Sequence, residues 1–276
     1  MIKTPTGHPL EPVFDWYQFS TKMEARDVLE LFEPMGQDDP FRDEKPKLKG
    51  YGWAKKTGGP GGSILIHYGG RNGDEHGPNV VGTGPASVRV AELVRGACVP
   101  HGVGRADVRL DFLADFDVCR LQFIERCNDA GMVARDHGSC PESVKQCGRS
   151  VYGGSPKSFY TPTLYQKGLQ LGDGHPVDYL RLEHRFAPTK AHEKAQLSTM
   201  TPADMVGLRP VSRDLTEKIT ALAVAPYKLD RYPKEKGPWY WMLKAYQKAL
   251  REAHSDLGSW SAVGHQIGYD LENLDV

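Results

Sequence analysis

Residues 105–116, RADVRLDFLADF, hold the pattern that decides the fold. Apolar side chains occupy the even positions 108–112, and charged side chains occupy the odd positions 107–111. This alternation predicts an extended strand with one face on a core and the other toward water. Residues 179–186, YLRLEHRF, repeat the alternation, with Arg181 and Glu183 on the charged face. Strands that are apolar on only one face are typical of an antiparallel sheet.

The sequence on either side of these two runs predicts further elements. Alternation and short apolar runs predict strands at 13–20, 63–68, 80–84, 148–153 and 161–167. Helical spacing predicts helices at 22–32, 85–95 and 116–128, and polar residues predict loops at 34–49, 58–62 and 154–160. We therefore expect an α+β fold, in which a mainly antiparallel central sheet has helices packed on it.

The composition changes near residues 188–198. Pro202 after Thr201 is typical of a helix start, and residues 239–253 have strong helical spacing. We expect residues 1–190 to form the sheet-rich domain and residues 199–276 a helical C-terminal segment. Residues 209–251 contain ten Lys or Arg residues, two of which are Lys244 and Lys248, and only four acids. This excess predicts a face that binds phosphate groups, with an ordinary solvated helix surface as the alternative.

The bulk composition excludes several classes of protein. The 276 residues carry 35 basic and 35 acidic side chains, which argues against non-specific coating of nucleic acid. Five cysteines without a CxxC pair argue against a disulfide framework or a zinc site. No apolar run approaches the roughly 18 residues of a membrane span, and residues 1–10 lack the apolar core of a secretory signal. We expect a cytoplasmic protein with no membrane partner.

Common catalytic motifs are absent from the sequence. It contains no Walker-type phosphate loop, no GxGxxG, no HExxH and no GxSxG. It also lacks the His-hydrophobe-His triplet that many nicking enzymes use to bind metal. Any metal would therefore have to be held by carboxylates.

Two strands each carry an Arg-x-acid pair on one face, Arg109 with Asp111 and Arg181 with Glu183. If these strands are neighbours, two carboxylates can lie side by side, and carboxylates are the ligands that Mg²⁺ or Mn²⁺ prefers. The alternative is a set of cross-strand salt bridges on a solvated sheet face.

A third segment combines a small loop with a tyrosine. Residues 148–158, GRSVYGGSPKS, can expose backbone N–H groups and a lysine to a DNA phosphate. Tyr165 and Lys167 then share one strand face, where the ammonium favours ionisation of the phenol.

Taken in order, these motifs resemble the Rep_trans family. The motifs are Arg-x-Asp-x3-Asp at 109–115, Tyr-x-Gly-Ser-x-Lys-Ser at 152–158, Tyr-x-Lys at 165–167 and Arg-x-Glu at 181–183. The family contains replication initiation factors of filamentous phages and rolling-circle plasmids, with related conjugative relaxases. The resemblance runs from an Asp-Trp pair at 15–16 to about Phe186, and Thr163 stands where the family usually has Arg.

The resemblance implies an enzyme that nicks one DNA strand at a replication origin. Tyr165, assisted by Lys167, would attack the phosphorus and keep the 5′ phosphate, leaving a 3′-OH as primer; Tyr160 is the alternative nucleophile. Mg²⁺ or Mn²⁺ would be held by Asp111, Glu183 and Asp115. The DNA contacts would come from Arg109, Arg149, Ser155, Lys157, Ser158 and Arg181. A host helicase, a polymerase and a second copy of the chain are the partners that the family implies besides origin DNA.

Two other functions stay open at this point. The chain could be a DNA-binding regulator that keeps the fold but does not cut. It could also be a metal-dependent nuclease that uses water in place of tyrosine.

Overall fold

The computed structural model describes residues 3–59, 62–70, 77–137, 148–229 and 247–272. The chain forms two compact units, Met1–Leu229 and Asp230–Val276. The first unit contains the whole sheet, and the described part of the second unit contains two helices.

The described strands form one antiparallel sheet. Its order is β2-β3-β4-β5-β1-β6-β10-β9-β8-β7, so β6 and β10 are neighbouring strands inside the sheet. The predicted α+β class with a mainly antiparallel sheet is confirmed. The strands are β1 Val13–Thr21, β2 Arg42–Glu44, β3 Tyr51–Gly59, β4 Gly62–Gly70, β5 Asn79–Thr83, β6 His101–Leu113, β7 Ala134–His137, β8 Ser150–Gly153, β9 Tyr160–Gln166 and β10 Tyr179–Phe186.

Seven described helices belong to the first unit and two to the second. A 3₁₀ turn, Glu33–Gly36, follows the first helix. Within the described ranges, no helix has both the length and the apolar character that a bilayer crossing requires. The helices are α1 Ala25–Phe32, α2 Pro85–Gly96, α3 Phe116–Asp129, α4 Lys167–Leu171, α5 Ala191–Leu197, α6 Pro202–Gly207, α7 Pro210–Thr220, α8 Gln247–Leu257 and α9 Trp260–Glu272.

The apolar face of the sheet is buried under helices. Val108, Leu110 and Phe112 of β6 are fully buried, as the alternation predicts. One apolar cluster joins β1 and β6 to α1, α2, α5 and α6, and a second joins β9 and β10 to α3 and α7. Each fully buried aliphatic or aromatic side chain contributes about 1.5–3 kcal/mol, so this face provides most of the driving force for folding.

The division of the chain lies further along than the predicted interval of residues 190–199. Leu197, Met205 and Leu215 are each fully buried in the clusters beneath the sheet. Helices α5 to α7 therefore complete the core of the first unit, and the separate segment begins only after Leu229.

Three strands were not predicted: β2, β3 and β7. Strand β3 is long, but its sequence, YGWAKKTGG, has three glycines, two lysines and no alternation. It forms because it pairs with β4 along almost its whole length. Strand pairing across the sheet outweighs the weak local preference here.

Candidate active site

The charged residues of β6 and β10 lie on the sheet face opposite the two helix-covered clusters. The register places Arg181 directly opposite Asp111, and Glu183 directly opposite Arg109. Asp111 and Glu183 are thus diagonal neighbours, and each faces an arginine across the strands. The expected side-by-side carboxylates are replaced by an alternating array of charges.

A buried arginine organises the centre of this face. Arg181, whose side chain is 4% exposed, donates to both oxygens of Asp111 at 2.6 and 2.9 Å and to Asp15 at 3.0 Å. Arg109 also contacts both acids, at 3.0 Å from Asp111 and 3.5 Å from Asp15. Asp15 lies in β1 between Phe14 and Trp16, where the register with β6 shifts. Asp111 therefore forms cross-strand salt bridges, which was the alternative to its binding a metal ion.

A second ionic group lies beside the first. Asp107 is buried and accepts hydrogen bonds from Arg105 and from Arg185, the latter at 3.3 Å. Arg185 also contacts Glu183 at 3.5 Å. The Arg105 guanidinium stacks over the Trp16 ring, with its carbon 4.3 Å from the ring centroid.

Glu183 is the acid with the most perturbed ionisation on this face. Burial, together with the nearby carboxylates of Asp107 and Asp15, raises the pKa of Glu183 to about 7. Arg185 and Arg105 oppose this shift without cancelling it. A raised pKa of this kind is typical of a carboxylate at a functional site.

Tyr165 of β9 stands next to these groups. It lies opposite Arg181 on one side and Ser150 of β8 on the other. Burial raises the pKa of the Tyr165 phenol, while the charge of Arg181 acts in the opposite direction. Tyr165 and Glu183 line the same cavity of about 460 Å³, which reaches from β8 to Arg185 of β10.

Lys167 lies close to the tyrosine ring, although it does not belong to strand β9 as the sequence predicted. Its Nζ is 5.9 Å from the Tyr165 ring centroid and donates to Oε1 of Gln170 at 2.8 Å. Lys167 is the first residue of α4, which begins where β9 ends. Burial, followed by the charge of Arg181, lowers the pKa of Lys167. The structure thus brings together six of the predicted site residues: Arg109, Asp111, Tyr165, Lys167, Arg181 and Glu183.

Tyr160, the alternative nucleophile, is a core residue. Its hydroxyl lies 2.8 Å from Nδ1 of His184, and Nε2 of His184 lies 3.0 Å from the Thr216 hydroxyl. Thr216 donates its only hydroxyl proton to the Ser212 carbonyl, so it accepts from Nε2, and Tyr160 donates to Nδ1. Burial lowers the pKa of His184 to about 3 and raises that of Tyr160. The alternation puts Tyr160 and Tyr165 on opposite sheet faces, because they are five residues apart.

Two other predicted site residues contact the start of helix α3. Asp115 is its N-cap and accepts a hydrogen bond from the Val118 backbone N–H at 3.0 Å. Arg149 forms two hydrogen bonds to Asp117, at 2.8 and 3.0 Å, and stacks over Phe116. Both side chains therefore anchor the start of α3. Local sequence could have indicated the cap, since Asp before an apolar helical run is a common start signal.

The glycine-serine loop is a tight turn after β8. Gly154 has φ +78°, a left-handed conformation that favours glycine. A Cβ at Gly153 would lie 2.8 Å from Cys127 Sγ and from Pro162 Cγ. Both glycines are needed where β8 packs on α3 and β9. Ser155 and Lys157 are exposed on the turn, and Ser158 is half-buried. Lys244, and the side chain of Lys248, lie outside the described residues.

No group of three or more His, Cys, Asp or Glu side chains in the described ranges is arranged to hold a metal ion.

The sequence analysis missed several members of the charged face. Asp107 and Arg185 share the alternation of the predicted residues, so that signal was present. Asp15 was hidden by the irregular register of β1.

Comparison with known proteins supports the fold. A scan against protein-family models finds no match. A search of curated proteins likewise finds no significant match. Among solved structures, the chain is similar to a rolling-circle replication initiator protein from Geobacillus stearothermophilus, with a TM-score of 0.54 and 20% identity. The match covers 79% of this chain and 100% of that chain, which shows a shared fold.

Proposed function

We propose that this protein nicks one DNA strand at a replication origin and so initiates rolling-circle replication, as an initiator of the Rep_trans type. The observation that carries the proposal is that Tyr165 and Glu183 line one cavity on the charged sheet face. The fold likeness to a rolling-circle replication initiator supports it. Tyr165 is the preferred nucleophile, because the Tyr160 hydroxyl is bonded inside the core.

The proposed reaction exchanges one phosphate ester for another. The Tyr165 oxygen bonds to phosphorus, the bond from phosphorus to the 3′ oxygen breaks, and the 5′ phosphate stays on the tyrosine. A phenol with a pKa above its usual value of about 10 needs help to ionise. Water in the cavity accepts the phenolic proton, and the Lys167 ammonium beside the ring favours the phenolate. Lys167 also supplies a proton to the departing 3′ oxygen, which its lowered pKa makes easier.

The resemblance also implies Mg²⁺ or Mn²⁺, and part of the residue set fits a divalent cation. Glu183 fits, because a cation would offset the crowding by Asp107 and Asp15 that raises its pKa. Asp115 does not fit, because it caps α3. Asp111 does not fit either, because both of its oxygens accept hydrogen bonds from Arg181. Mg²⁺ commonly binds through one or two carboxylates plus a substrate phosphate. We therefore assign Glu183 as the protein ligand, and the ion would neutralise charge on the phosphoryl oxygens.

A plasmid assay tests this proposal against the two other functions. Supercoiled plasmid that carries the origin is incubated with protein, then treated with SDS, with or without protease. The proposal predicts nicked DNA that retains protein until the protease is added. Nicked DNA without protein would favour the water-using nuclease, and uncut plasmid would favour the regulator.

The metal assignment has its own test. Excess EDTA should abolish nicking, and Mg²⁺ or Mn²⁺ should restore it. Glu183→Gln should lose nicking while it keeps origin binding. Full activity in EDTA would remove the metal from the mechanism and leave the tyrosine chemistry standing.

A further inference from the structure

Tyr152 is an exposed aromatic residue beside the candidate nucleophile. Its side chain is 43% exposed, although β8 is an internal strand of the sheet between β7 and β9. It lines the cavity of about 460 Å³ together with Tyr165 and Glu183. An exposed ring that adds nothing to the core is available for a ligand.

The strand register fixes where Tyr152 stands relative to Tyr165. Ser150 lies opposite Tyr165, and Tyr152 lies opposite Thr163. Tyr152 is therefore a diagonal neighbour of Tyr165 on the same sheet face, at a separation of about 7–8 Å. This is the scale of a single nucleotide along an extended strand.

The neighbours of Tyr152 on β7 suit nucleic acid. The His137 ring packs against it edge-on, with centroids 5.4 Å apart and an interplanar angle of 75°. Arg135 lies directly opposite Tyr152 and is exposed. Arg135 donates to the Gly154 carbonyl at 3.0 Å, and it has no carboxylate partner in the described part of the chain. The ring supplies a stacking face, and the guanidinium supplies positive charge for a phosphate.

We infer that Tyr152 is a base-stacking site for the nucleotide that adjoins the phosphate attacked by Tyr165. The inference rests on the proposed function, since it places the scissile phosphate at Tyr165. Tyr152 stacks on an unpaired base and Arg135 contacts the adjoining phosphate, so the substrate at this point is single-stranded DNA. Stacking on a ring accepts any base, so this site positions the strand without reading its sequence.

The test measures binding of the full chain to two fluorescent 12-nucleotide probes, oligothymidylate and an abasic strand with the same number of phosphates. Tyr152→Ala should weaken oligothymidylate binding about five- to 150-fold, the range that loss of one stacked base produces. Binding of the abasic strand should change little. Tyr152→Phe keeps the ring and should bind within about twofold of the wild type.

Trp53→Ala is the matched control. Trp53 is also an exposed aromatic, at 66%, but it lies on β3, away from the cavity. Its removal should leave both affinities unchanged. An unchanged affinity of Tyr152→Ala for oligothymidylate would overturn the inference, as would an equal loss on both probes.

Photocrosslinking gives a second readout that needs no variant. A 12-nucleotide strand that contains 5-iodouracil should crosslink to Tyr152, and label confined to other residues would overturn the inference. If the protein nicks DNA covalently but neither the Tyr152→Ala affinities nor the crosslink show stacking, only the assignment of Tyr152 is wrong. Base-dependent binding through Tyr152 without any covalent product would instead remove the nicking proposal.

Discussion

At the residue scale, the charged face depends on Arg181. This buried guanidinium is the shared donor to Asp111 and Asp15, so its removal leaves two carboxylates with one remaining arginine. We predict that Arg181→Ala lowers the free energy of unfolding by about 3 kcal/mol, as expected when one partner of a buried ion pair is removed. Urea unfolding measures the change.

The exposed pair of Arg26 and Glu30 provides the control for this prediction. Their side chains are 86% and 58% exposed. Arg26→Ala should cost less than about 0.5 kcal/mol, because exposed pairs contribute little. Equal losses in the two variants would mean that burial at Arg181 has no special importance.

Glu183 should make stability depend on pH. Its pKa is raised to about 7 in the folded chain, against an ordinary value of 4.5. The folded state thus holds this proton more tightly than the unfolded state, and the stabilisation is full at low pH and lost as pH rises through about 7. Glu183→Gln does not titrate. We predict that the free energy of unfolding of this variant, relative to that of the wild type, rises by about 2–3 kcal/mol as the pH increases from 4.5 to 8.

Denaturant unfolding at several pH values measures this difference. The other titrating groups are present in both chains, so they largely cancel in the comparison. A difference that stays constant with pH would show that Glu183 is ordinarily solvated in the folded state.

At the element scale, Asp115 belongs to helix α3. As the N-cap it stabilises the helix by about 0.5–2 kcal/mol. We predict that Asp115→Ala loses about 1 kcal/mol of stability, that Asp115→Asn loses little, and that both variants still nick DNA. Thermal unfolding and the plasmid assay are the measurements. Loss of nicking in Asp115→Asn with unchanged stability would restore Asp115 as a metal ligand.

Much of the sheet could be predicted from alternation, because β6 and β10 are apolar on only one face. Strand β3 could not, because its formation depends on pairing with β4, which is a tertiary effect. The charged face was predictable as a set of side chains, but the partners were not. Whether Asp111 lies opposite an acid or an arginine depends on the register between β6 and β10. A shift of two residues would place Glu183 opposite Asp111 in place of Arg181.

The register also separates the two tyrosines. Tyr160 and Tyr165 lie five residues apart on one strand, so they point to opposite faces. Alternation alone could have assigned Tyr160 to the core, because it shares a face with the buried Leu164. The exposure of Tyr152 depends instead on what β7 leaves uncovered, which no local pattern reveals.

At the scale of the whole molecule, the sheet and the candidate site belong to the first unit. We expect the basic residues after Leu229 to contribute salt-dependent DNA affinity. The double variant Lys244→Glu, Lys248→Glu should reduce the slope of log affinity against log salt by about 1–2, if these lysines neutralise phosphates. Fluorescence titration with duplex DNA at several salt concentrations measures the slope. An unchanged slope would mean that the segment does not contact DNA phosphates.

The central claim is that Tyr165 becomes covalently linked to DNA. Trypsin releases the peptide 158–167, SFYTPTLYQK, which contains both Tyr160 and Tyr165, so the linked peptide must be sequenced by fragmentation. We predict the nucleotide mass on Tyr165, no adduct from Tyr165→Phe, and a normal adduct from Tyr160→Phe despite a loss of about 1 kcal/mol of stability. The mass on Tyr160, or nicked DNA without an adduct on either tyrosine, would contradict the claim.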